Sequence, residues 1–213
     1  MEIDGTKYVT DQFGVVRECG KAQAKYDCEY VNSRYNTLPD HGDQMSWLRI
    51  GYIIGAIGGI PANCLDVGYG NGSFLRCLAR YGVICSGYDV SGYPVPDGCR
   101  RAVEGDIFRD WELLSFFDSL EHFWDIGFVV NLRARYVAIT APHYHPYMGE
   151  AWFEAWKHRR PGEHLHHFSP QTLRRLMKYV GYQQIITARI EDGLRGGGEG
   201  GIQNIFTSVF RRI

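Results

Sequence analysis

Short apolar runs alternate with amphipathic stretches from Ala62 onward. The runs predict strands at Cys64–Val67, Val83–Tyr88, Arg101–Glu104, Glu112–Phe117, Tyr136–Thr140 and Gln183–Ile190. Apolar residues at helical spacing predict one helix that starts near Asn71 or Ser73 and stops at Gly82, and another from Ser169 to Val180. Strands and helices in alternation indicate parallel βαβ units, and therefore an α/β fold.

Two regions lie outside this alternation. Asp43–Ile57 has the periodicity of a helix, and the segment before it carries Tyr26, Tyr30 and Tyr35. We therefore predict that residues 1–60 form a helical cap whose aromatic segment closes over the binding edge of a core at residues 61–213. Near the other end, six of the nine residues in Gly193–Gly201 are glycine, which predicts a loop, and Ile202–Phe210 alternates like a final strand that returns to the sheet.

Composition and charge exclude some classes of function. The 213 residues are 45% hydrophobic, and 23 Lys and Arg face 24 Asp and Glu, so no overall positive field attracts a polyanion. The longest apolar stretch, Ile50–Ile60, contains four glycines and is shorter than the roughly 18 residues that span a bilayer. Six cysteines without a C-x-x-C pair favour reduced thiols, so we expect a cytoplasmic protein with no membrane partner.

A glycine-rich turn follows the first predicted strand. Leu65–Gly72 reads LDVGYGNG and leads directly into a helix, where free backbone N–H groups face a ligand that approaches closely. The NAD fingerprint requires a third glycine at position 73, where this chain has Ser73, so a dehydrogenase is disfavoured. Asp89 ends the second strand, where a carboxylate can accept hydrogen bonds from both hydroxyls of a ribose.

Four segments in order resemble motifs one to four of class I S-adenosylmethionine-dependent methyltransferases. They are LDVGYGNGSFL, GYDVS, EGDIF and ELLSFFDSLEH, and HLHHFSPQTLRRLMKYVGY resembles the helix before strand six of that family. The resemblance covers roughly Ala62 to Phe210. It implies a Rossmann-like, seven-stranded, mostly parallel sheet of order 3-2-1-4-5-7-6 with helices on both faces. It also implies S-adenosylmethionine as cofactor and S-adenosylhomocysteine as product.

The resemblance also implies which residues contact the cofactor. Asp89 would hold the ribose hydroxyls with Val90 beside it, and Asp106 and Ile107 would contact the adenine. Phe117 and Asp118 would lie at the sulfonium. The residues implied for the glycine turn, around the methionine and ribose, are Asp66, Gly68, Tyr69 and Gly70. Asp66 has an alternative role, which is to order the turn from below. Tyr69 would narrow the methionine end of the pocket.

The segments after the fourth and fifth strands indicate the class of methyl acceptor. Enzymes that methylate nucleobase amines carry Asn/Asp-Pro-Pro-aromatic after strand four, where this chain has FFDSLEH, and the Pro-Cys of cytosine-C5 enzymes is absent from the sequence. We therefore expect transfer to an O or N atom of a small metabolite or sugar-like acceptor. His122 and His143 are the candidates for a general base. An RNA- or DNA-linked enzyme and a non-catalytic cofactor-binding subunit stay open as alternatives.

An insertion at residues 142–168 lies where such folds cover the acceptor. Its aromatic residues include Tyr144, Tyr147, Trp152, Phe153 and Trp156, and six of the eight histidines lie between His143 and His167. Because His143 and His145 have no acidic neighbour before Glu150, we predict no metal site. The basic run Lys157–Arg160 is interpreted either as a solvated surface or as a receptor for an anionic acceptor.

Overall fold

The computed structural model describes residues 1–20, 24–35, 39–196 and 201–213. Its strands are β1 (Glu2–Ile3), β2 (Thr6–Thr10), β3 (Val16–Glu18), β4 (Asn63–Val67), β5 (Ile84–Tyr88), β6 (Arg100–Arg101), β7 (Leu113–Phe117), β8 (Tyr136–Pro142), β9 (His166–His167), β10 (Tyr182–Ala188) and β11 (Ile205–Arg212). Its α-helices are α1 (Cys28–Tyr35), α2 (Pro39–Ile57), α3 (Ser73–Ala79), α4 (Gly149–Ala155), α5 (Pro170–Tyr179) and α6 (Asp192–Arg195). Short 3-10 helices lie at Glu104–Phe108, Leu120–His122, Gly127–Asn131 and Pro146–Met148.

The main sheet has seven strands in the order β10-β11-β8-β7-β4-β5-β6. All neighbouring pairs are parallel except those of β11, which runs antiparallel to both β8 and β10. Counted along the chain within this sheet, the order is 3-2-1-4-5-7-6. The predicted α/β fold and its strand order are therefore confirmed.

Helices cover both faces of the main sheet. Consecutive residues of β7 face opposite ways, so Leu113 packs with α2 and α3, whereas Leu114 packs in the cluster that includes α5. The α5 helix begins at the predicted cap, because the Ser169 hydroxyl accepts from the Thr172 N–H at 3.2 Å while the Thr172 hydroxyl accepts from the Ser169 N–H. No helix in the described part of the chain is long and apolar enough to cross a membrane.

The first 20 residues are not helical, and the expected helical cap is wrong for them. Strands β1, β2 and β3 pair in sequence, and β3 pairs with β9 to complete an antiparallel second sheet. Turns with positive φ at Gly5 and Gly14 connect these short strands. The β9 partner lies about 150 residues along the chain, so the local pattern could not reveal this sheet. The helices α1 and α2 form within the rest of the predicted cap.

Two further elements differ from their predictions in the type of structure as well as in their bounds. The strand predicted at Arg101–Glu104 covers only Arg100–Arg101, because a 3-10 helix begins at Glu104 and the Asp106 carboxylate accepts from the Val103 N–H at 2.8 Å. In the predicted loop Gly193–Gly201, residues up to Arg195 belong to α6, and residues 197–200 lie outside the described part of the chain.

Candidate active site

A central cleft of about 740 Å³, counted with the part open to solvent, lies at the carboxyl ends of β4, β5 and β7. In an open α/β sheet this edge is where ligands bind. Helix α1 and the residues just before it form the opposite wall. The lining residues are Tyr26, Tyr30, Val31, Val67, Gly68, Gly70, Tyr88, Asp89, Val90, Ser91, Asp118, Ser119, His122 and Phe123. Tyr26 and Tyr30 thus lie where the predicted aromatic cap requires them, whereas the side chain of Tyr35 lies outside the described residues.

The glycine turn after β4 requires glycine for two reasons. Gly68 has φ of 79°, a left-handed conformation that strains residues with a side chain. A Cβ there would also lie 2.5 Å from the Cβ of Ser119. The Gly68 N–H donates to the Tyr88 carbonyl at 2.7 Å, which ties the turn to the end of β5. The turn therefore brings bare backbone to the surface of the cleft.

Asp89 joins the glycine turn to the loop after β5. One carboxylate oxygen accepts from the Gly70 N–H at 2.9 Å, and the other accepts from the Ser91 N–H at 2.8 Å. Each oxygen keeps a second lone pair for a ligand hydroxyl. Val90 follows with 68% of its surface exposed on the cleft wall. This arrangement fits the ribose contact that the sequence predicts.

Asp66 and Tyr69 do not line the cleft. Asp66 is buried beneath the turn, where it accepts from the Ser115 hydroxyl at 2.7 Å, and burial raises its pKa to about 7. The Tyr69 ring packs across Gly87, and its hydroxyl donates to the Tyr93 carbonyl. Asp66 thus lies below the turn and Tyr69 packs away from the lining of the cleft, and the roles of both residues toward a cofactor stay predictions.

Three other predicted cofactor residues also lie outside the lining of the cleft. Asp106 accepts from the Val103 N–H and pairs with Arg109 at 2.9 Å. Ile107 is buried in the core, and Phe117 packs edge-on against the ring of Phe74. Contacts of Asp106, Ile107 and Phe117 with a cofactor therefore stay predictions.

A network of ion pairs holds Asp118, a lining residue of the cleft that has the unusual φ of 51°. Its carboxylate pairs with Arg195, and with Arg49 at 3.3 Å. Glu191, fully buried, accepts from Arg49 at 2.7 and 3.0 Å. Burial by itself would raise the pKa of Asp118, but the guanidinium groups of Arg195 and Arg49 lower it, so the group stays ionised.

His122 lies in the cleft, as predicted. Its Nδ1 is 2.8 Å from the Glu163 carbonyl oxygen and 2.8 Å from the Tyr26 hydroxyl. Because a carbonyl oxygen only accepts, Nδ1 carries the proton and Nε2 of the neutral ring carries a free lone pair. Burial lowers the pKa of His122, which keeps the ring neutral near pH 7.

His143, the second candidate base, does not enter the cleft. Its ring stacks on His145 with centroids 3.9 Å apart and meets Phe206 edge-on. Burial lowers the pKa of His143 to about 4. The structure therefore does not bring the two candidate bases together, and the position of His143 corrects its assignment as a base.

A family profile described as a methyltransferase domain matches residues 52–187, more than half of the chain. The chain belongs to this methyltransferase family. No protein with a curated description matches the sequence.

Solved methyltransferase structures share the fold at low identity. The magnesium protoporphyrin IX methyltransferase of Synechocystis PCC 6803 with bound S-adenosylhomocysteine is 15% identical, with a TM-score of 0.56 over 91% of this chain and 90% of that chain. The 1,6-didemethyltoxoflavin-N1-methyltransferase of Burkholderia thailandensis, with its substrate and S-adenosylhomocysteine, is 13% identical, with a TM-score of 0.58 over 97% and 98%. A Haloferax volcanii complex of the Trm112 activator with a putative methyltransferase matches at 13% identity and a TM-score of 0.60, over 89% and 98%. The predicted resemblance to class I methyltransferases is confirmed.

The aromatic residues of the insertion do not line the cleft of this methyltransferase. Tyr144, Trp152 and Trp156 pack with Tyr8 and other apolar residues of the first strands in a separate cluster. The Tyr8 ring meets Phe153 edge-on at 5.1 Å between centroids. The expectation that these rings face the acceptor is therefore wrong, because the unforeseen N-terminal sheet packs against them.

Two residues next to His122 were not found from the sequence. Glu121 is buried, and His164 of the insertion lies across from it, so that Glu121, His122 and His164 each bring one possible ligand atom within 4.8 Å of the others. The prediction of no metal site rested on His143 and His145, which have no acidic residue near them in the sequence. Here the carboxylate comes from the 3-10 helix after β7, and the second imidazole comes from a turn 43 residues after Glu121.

Proposed function

We propose that this protein transfers a methyl group from S-adenosylmethionine to an O or N atom of a small metabolite or sugar-like acceptor. The observation that carries the proposal is the continuity of the cleft, which joins the glycine turn and Asp89 at one end to His122 and Phe123 at the other. The cofactor supplies an electrophilic methyl group, so the protein contributes mainly binding and orientation.

The glycine turn and Asp89 hold the cofactor. Gly68 and Gly70 allow the backbone to approach the amino acid and ribose portions, and the free lone pairs of Asp89 accept from the ribose hydroxyls. The same carboxylate is fixed by two backbone N–H groups, so it needs little reorganisation on binding. Asp118 and Ser119 line the wall between this end and His122.

His122 provides an atom that takes a proton from the acceptor. Its Nδ1 proton is held by the Glu163 carbonyl, which leaves Nε2 as the basic nitrogen. A neutral imidazole in this position would remove the proton from an attacking hydroxyl or amine as the new bond to the methyl carbon forms and the bond from that carbon to the sulfonium sulfur breaks, with S-adenosylhomocysteine as the leaving group.

The alternative of a nucleic-acid substrate finds little support in the arginines. That alternative predicts a continuous basic surface that joins Arg133 and Arg135 to the run Lys157–Arg160. The pairs observed instead are Arg133 with Asp110, Arg135 with Glu112, Arg159 with Asp4, and Arg160 with Glu163. Paired guanidinium groups have less charge to offer a phosphate backbone, which favours the small acceptor.

Binding of S-adenosylhomocysteine, measured by calorimetry, tests the cofactor half of the proposal. We expect micromolar affinity for the wild type and a loss of about 1–3 kcal/mol of binding free energy in Asp89→Ala, since charge-assisted hydrogen bonds to two hydroxyls disappear. Asp97→Ala removes an exposed carboxylate from the same loop and serves as the control. Unchanged affinity in a folded Asp89→Ala protein contradicts the assignment.

Isotope-labelled S-adenosylmethionine tests the acceptor half. The enzyme is incubated with a cell extract separated into small-molecule, nucleic-acid and protein fractions, and the label is followed in each. We expect label in the small-molecule fraction, and less of it with His122→Gln while cofactor affinity stays nearly intact. Label confined to the nucleic-acid or protein fraction rejects the small acceptor.

A further inference from the structure

Glu121, His122 and His164 converge beside the central cleft from two parts of the chain. Glu121 and His122 belong to the 3-10 helix after β7, and His164 follows the turn at Arg160. The Leu165 N–H donates to the Glu121 carbonyl at 2.8 Å, which fixes the two segments against each other. The rings of His122 and His164 meet edge-on with centroids 4.8 Å apart.

Both imidazoles are held in the same tautomer. The Nδ1 of His122 lies 2.8 Å from the Glu163 carbonyl oxygen, and the Nδ1 of His164 lies 2.8 Å from the His158 carbonyl oxygen. Each Nδ1 must therefore donate, which leaves Nε2 of each ring as an unprotonated lone pair. Histidines that bind metals are typically oriented in this way, by a hydrogen bond from the other ring nitrogen to a carbonyl.

The Glu121 carboxylate is the independent observation that points to a ligand. Its residue is 1% exposed, and neither carboxylate oxygen has a hydrogen-bond partner among the described residues. A buried carboxyl group without partners is costly, and such groups in native proteins require an explanation such as an ion. The two imidazole nitrogens near the Glu121 carboxylate carry lone pairs, so they donate no proton to it. The three side chains together therefore contain no positive charge that would balance the carboxylate.

We propose that Glu121, His122 and His164 form a binding site for a divalent first-row transition cation. Two imidazole nitrogens and one carboxylate oxygen suit ions such as Zn²⁺, Mn²⁺ or Co²⁺ better than Ca²⁺ or Mg²⁺, which prefer oxygen ligands throughout. The three ligand atoms lie within 4.8 Å of one another, and bonds of about 2.0–2.2 Å bring them together by a contraction of roughly 1 Å.

The site opens toward the cleft through His122, which lines it. Three protein ligands leave coordination positions for water or an incoming oxygen or nitrogen atom. A cation bound there would lower the pKa of an acceptor hydroxyl and hold the hydroxyl in position. The cation, and not His122 as a base, would then activate the acceptor. This catalytic role rests on the proposed function, whereas cation binding itself does not.

Co²⁺ titration of the full chain, with any affinity tag removed, tests the site. All six cysteines are free, and a thiolate ligand would reveal itself by an intense charge-transfer absorption, so Co²⁺ separates this site from a cysteine site. We expect one equivalent to bind the wild type with visible bands and no thiolate band. Glu121→Gln and His164→Asn should each weaken binding at least about tenfold.

The matched control is His145→Gln, which removes a histidine of the same insertion that bonds Tyr147 and lies outside the three residues. It should bind Co²⁺ like the wild type. Glu121→Gln keeps the side-chain shape, and S-adenosylhomocysteine affinity with circular dichroism verifies that it folds. The proposal is overturned if the wild type shows no saturable binding, if Glu121→Gln binds as tightly, or if the thiolate band appears. Because cofactor affinity is measured separately, failure of the cation site and failure of the proposed function are distinguishable.

Discussion

The glycine-turn region at residues 62–91 lines the cleft, whereas the histidine-rich region at residues 143–167 contacts the cleft residue His122 without lining the cleft, and the two regions are built differently. In the first, backbone groups face the ligand, and the contacts that fix them come mostly from nearby in the sequence, as in the bonds of Asp89 to Gly70 and Ser91. In the second, side chains are held by the first strands. Arg159 donates to Tyr8, and Gly162 donates to Glu18.

The two regions therefore differ in which substitutions affect their shape. A backbone cradle is fixed by a few glycines and one carboxylate, so its shape depends on few side chains. The histidine-rich region depends on packing against residues 1–20, so a change in either partner alters how this region is held against His122. The residues that line the cleft and those that pack against the first strands therefore belong to different parts of the chain.

The largest expected effect is at the N-terminal anchor of the histidine-rich region. Tyr8→Ala empties a buried site beside Phe153 and should lower the free energy of unfolding by about 3–5 kcal/mol. Urea unfolding measures the loss, and the exposed ring Tyr81, changed to Ala, is the control. If the two regions are separate, the folded mutant keeps S-adenosylhomocysteine affinity within about twofold. A strong loss of affinity would show that the two regions are not independent.

The second prediction tests the glycine turn. Gly68→Ala places a Cβ against Ser119 in a left-handed conformation, and we expect S-adenosylhomocysteine affinity to fall by about 100-fold or more because the turn must move. Gly55→Ala is the matched control, since this helical position has open space around it and gains up to about 1 kcal/mol of stability. Normal calorimetric affinity in Gly68→Ala would show that the turn does not form the binding surface.

A third, smaller effect concerns pH and the carboxyl group beneath the turn. Burial raises the pKa of Asp66 to about 7, so the folded state holds this proton more tightly than the unfolded state does. Below about pH 4 the proton is bound in both states, so Asp66 does not reduce the free energy of unfolding. This free energy decreases as the pH rises toward 7, and above pH 7 the decrease due to Asp66 is complete. In Asp66→Asn, the free energy of unfolding should decrease over this pH range by roughly 1–3 kcal/mol less than in the wild type. Urea unfolding at acidic and alkaline pH measures the difference. An identical pH slope in wild type and mutant contradicts the shift.

The smallest effect is expected where the histidine-rich region ends. Ser169→Ala removes the N-cap of α5 and should cost about 1 kcal/mol of stability, since the Thr172 N–H loses its acceptor. Thermal unfolding measures it. Cofactor affinity should stay unchanged. Ser169→Asp retains an acceptor and should restore most of the loss, whereas equal instability of both variants would assign the effect to packing instead.

The positions of residues that act through local contacts could be predicted from the sequence, whereas the cofactor contacts of Asp89 and the glycine turn stay predictions. The glycine turn, Asp89 and the cap at Ser169 each depend on neighbours within about 20 positions, and the apolar runs of the parallel strands are long enough to be read singly. The motif resemblance then ordered these strands into the sheet.

Residues that depend on distant pairing were not predictable in this way. The partner of β3 is β9, and the carboxylate of Glu121 meets the ring of His164 only because the insertion folds back onto the end of β7. Tyr144 and Trp156 carried the right composition for a cleft wall, but the N-terminal sheet competes for the same rings. The same aromatic pattern is compatible with a cleft wall or with packing against the N-terminal sheet, and tertiary packing determines which of the two forms.

The pairing of β3 with β9 also has a consequence for synthesis of the chain. The β2–β3 hairpin forms early, but the outer edge of β3 has no partner until His166 has left the ribosome. At typical elongation rates this delay is about 10–30 s, during which an open strand edge is free to pair with another chain. Expression at a lower concentration of nascent chains, or in the presence of a chaperone that covers such edges, should therefore raise the yield of soluble protein.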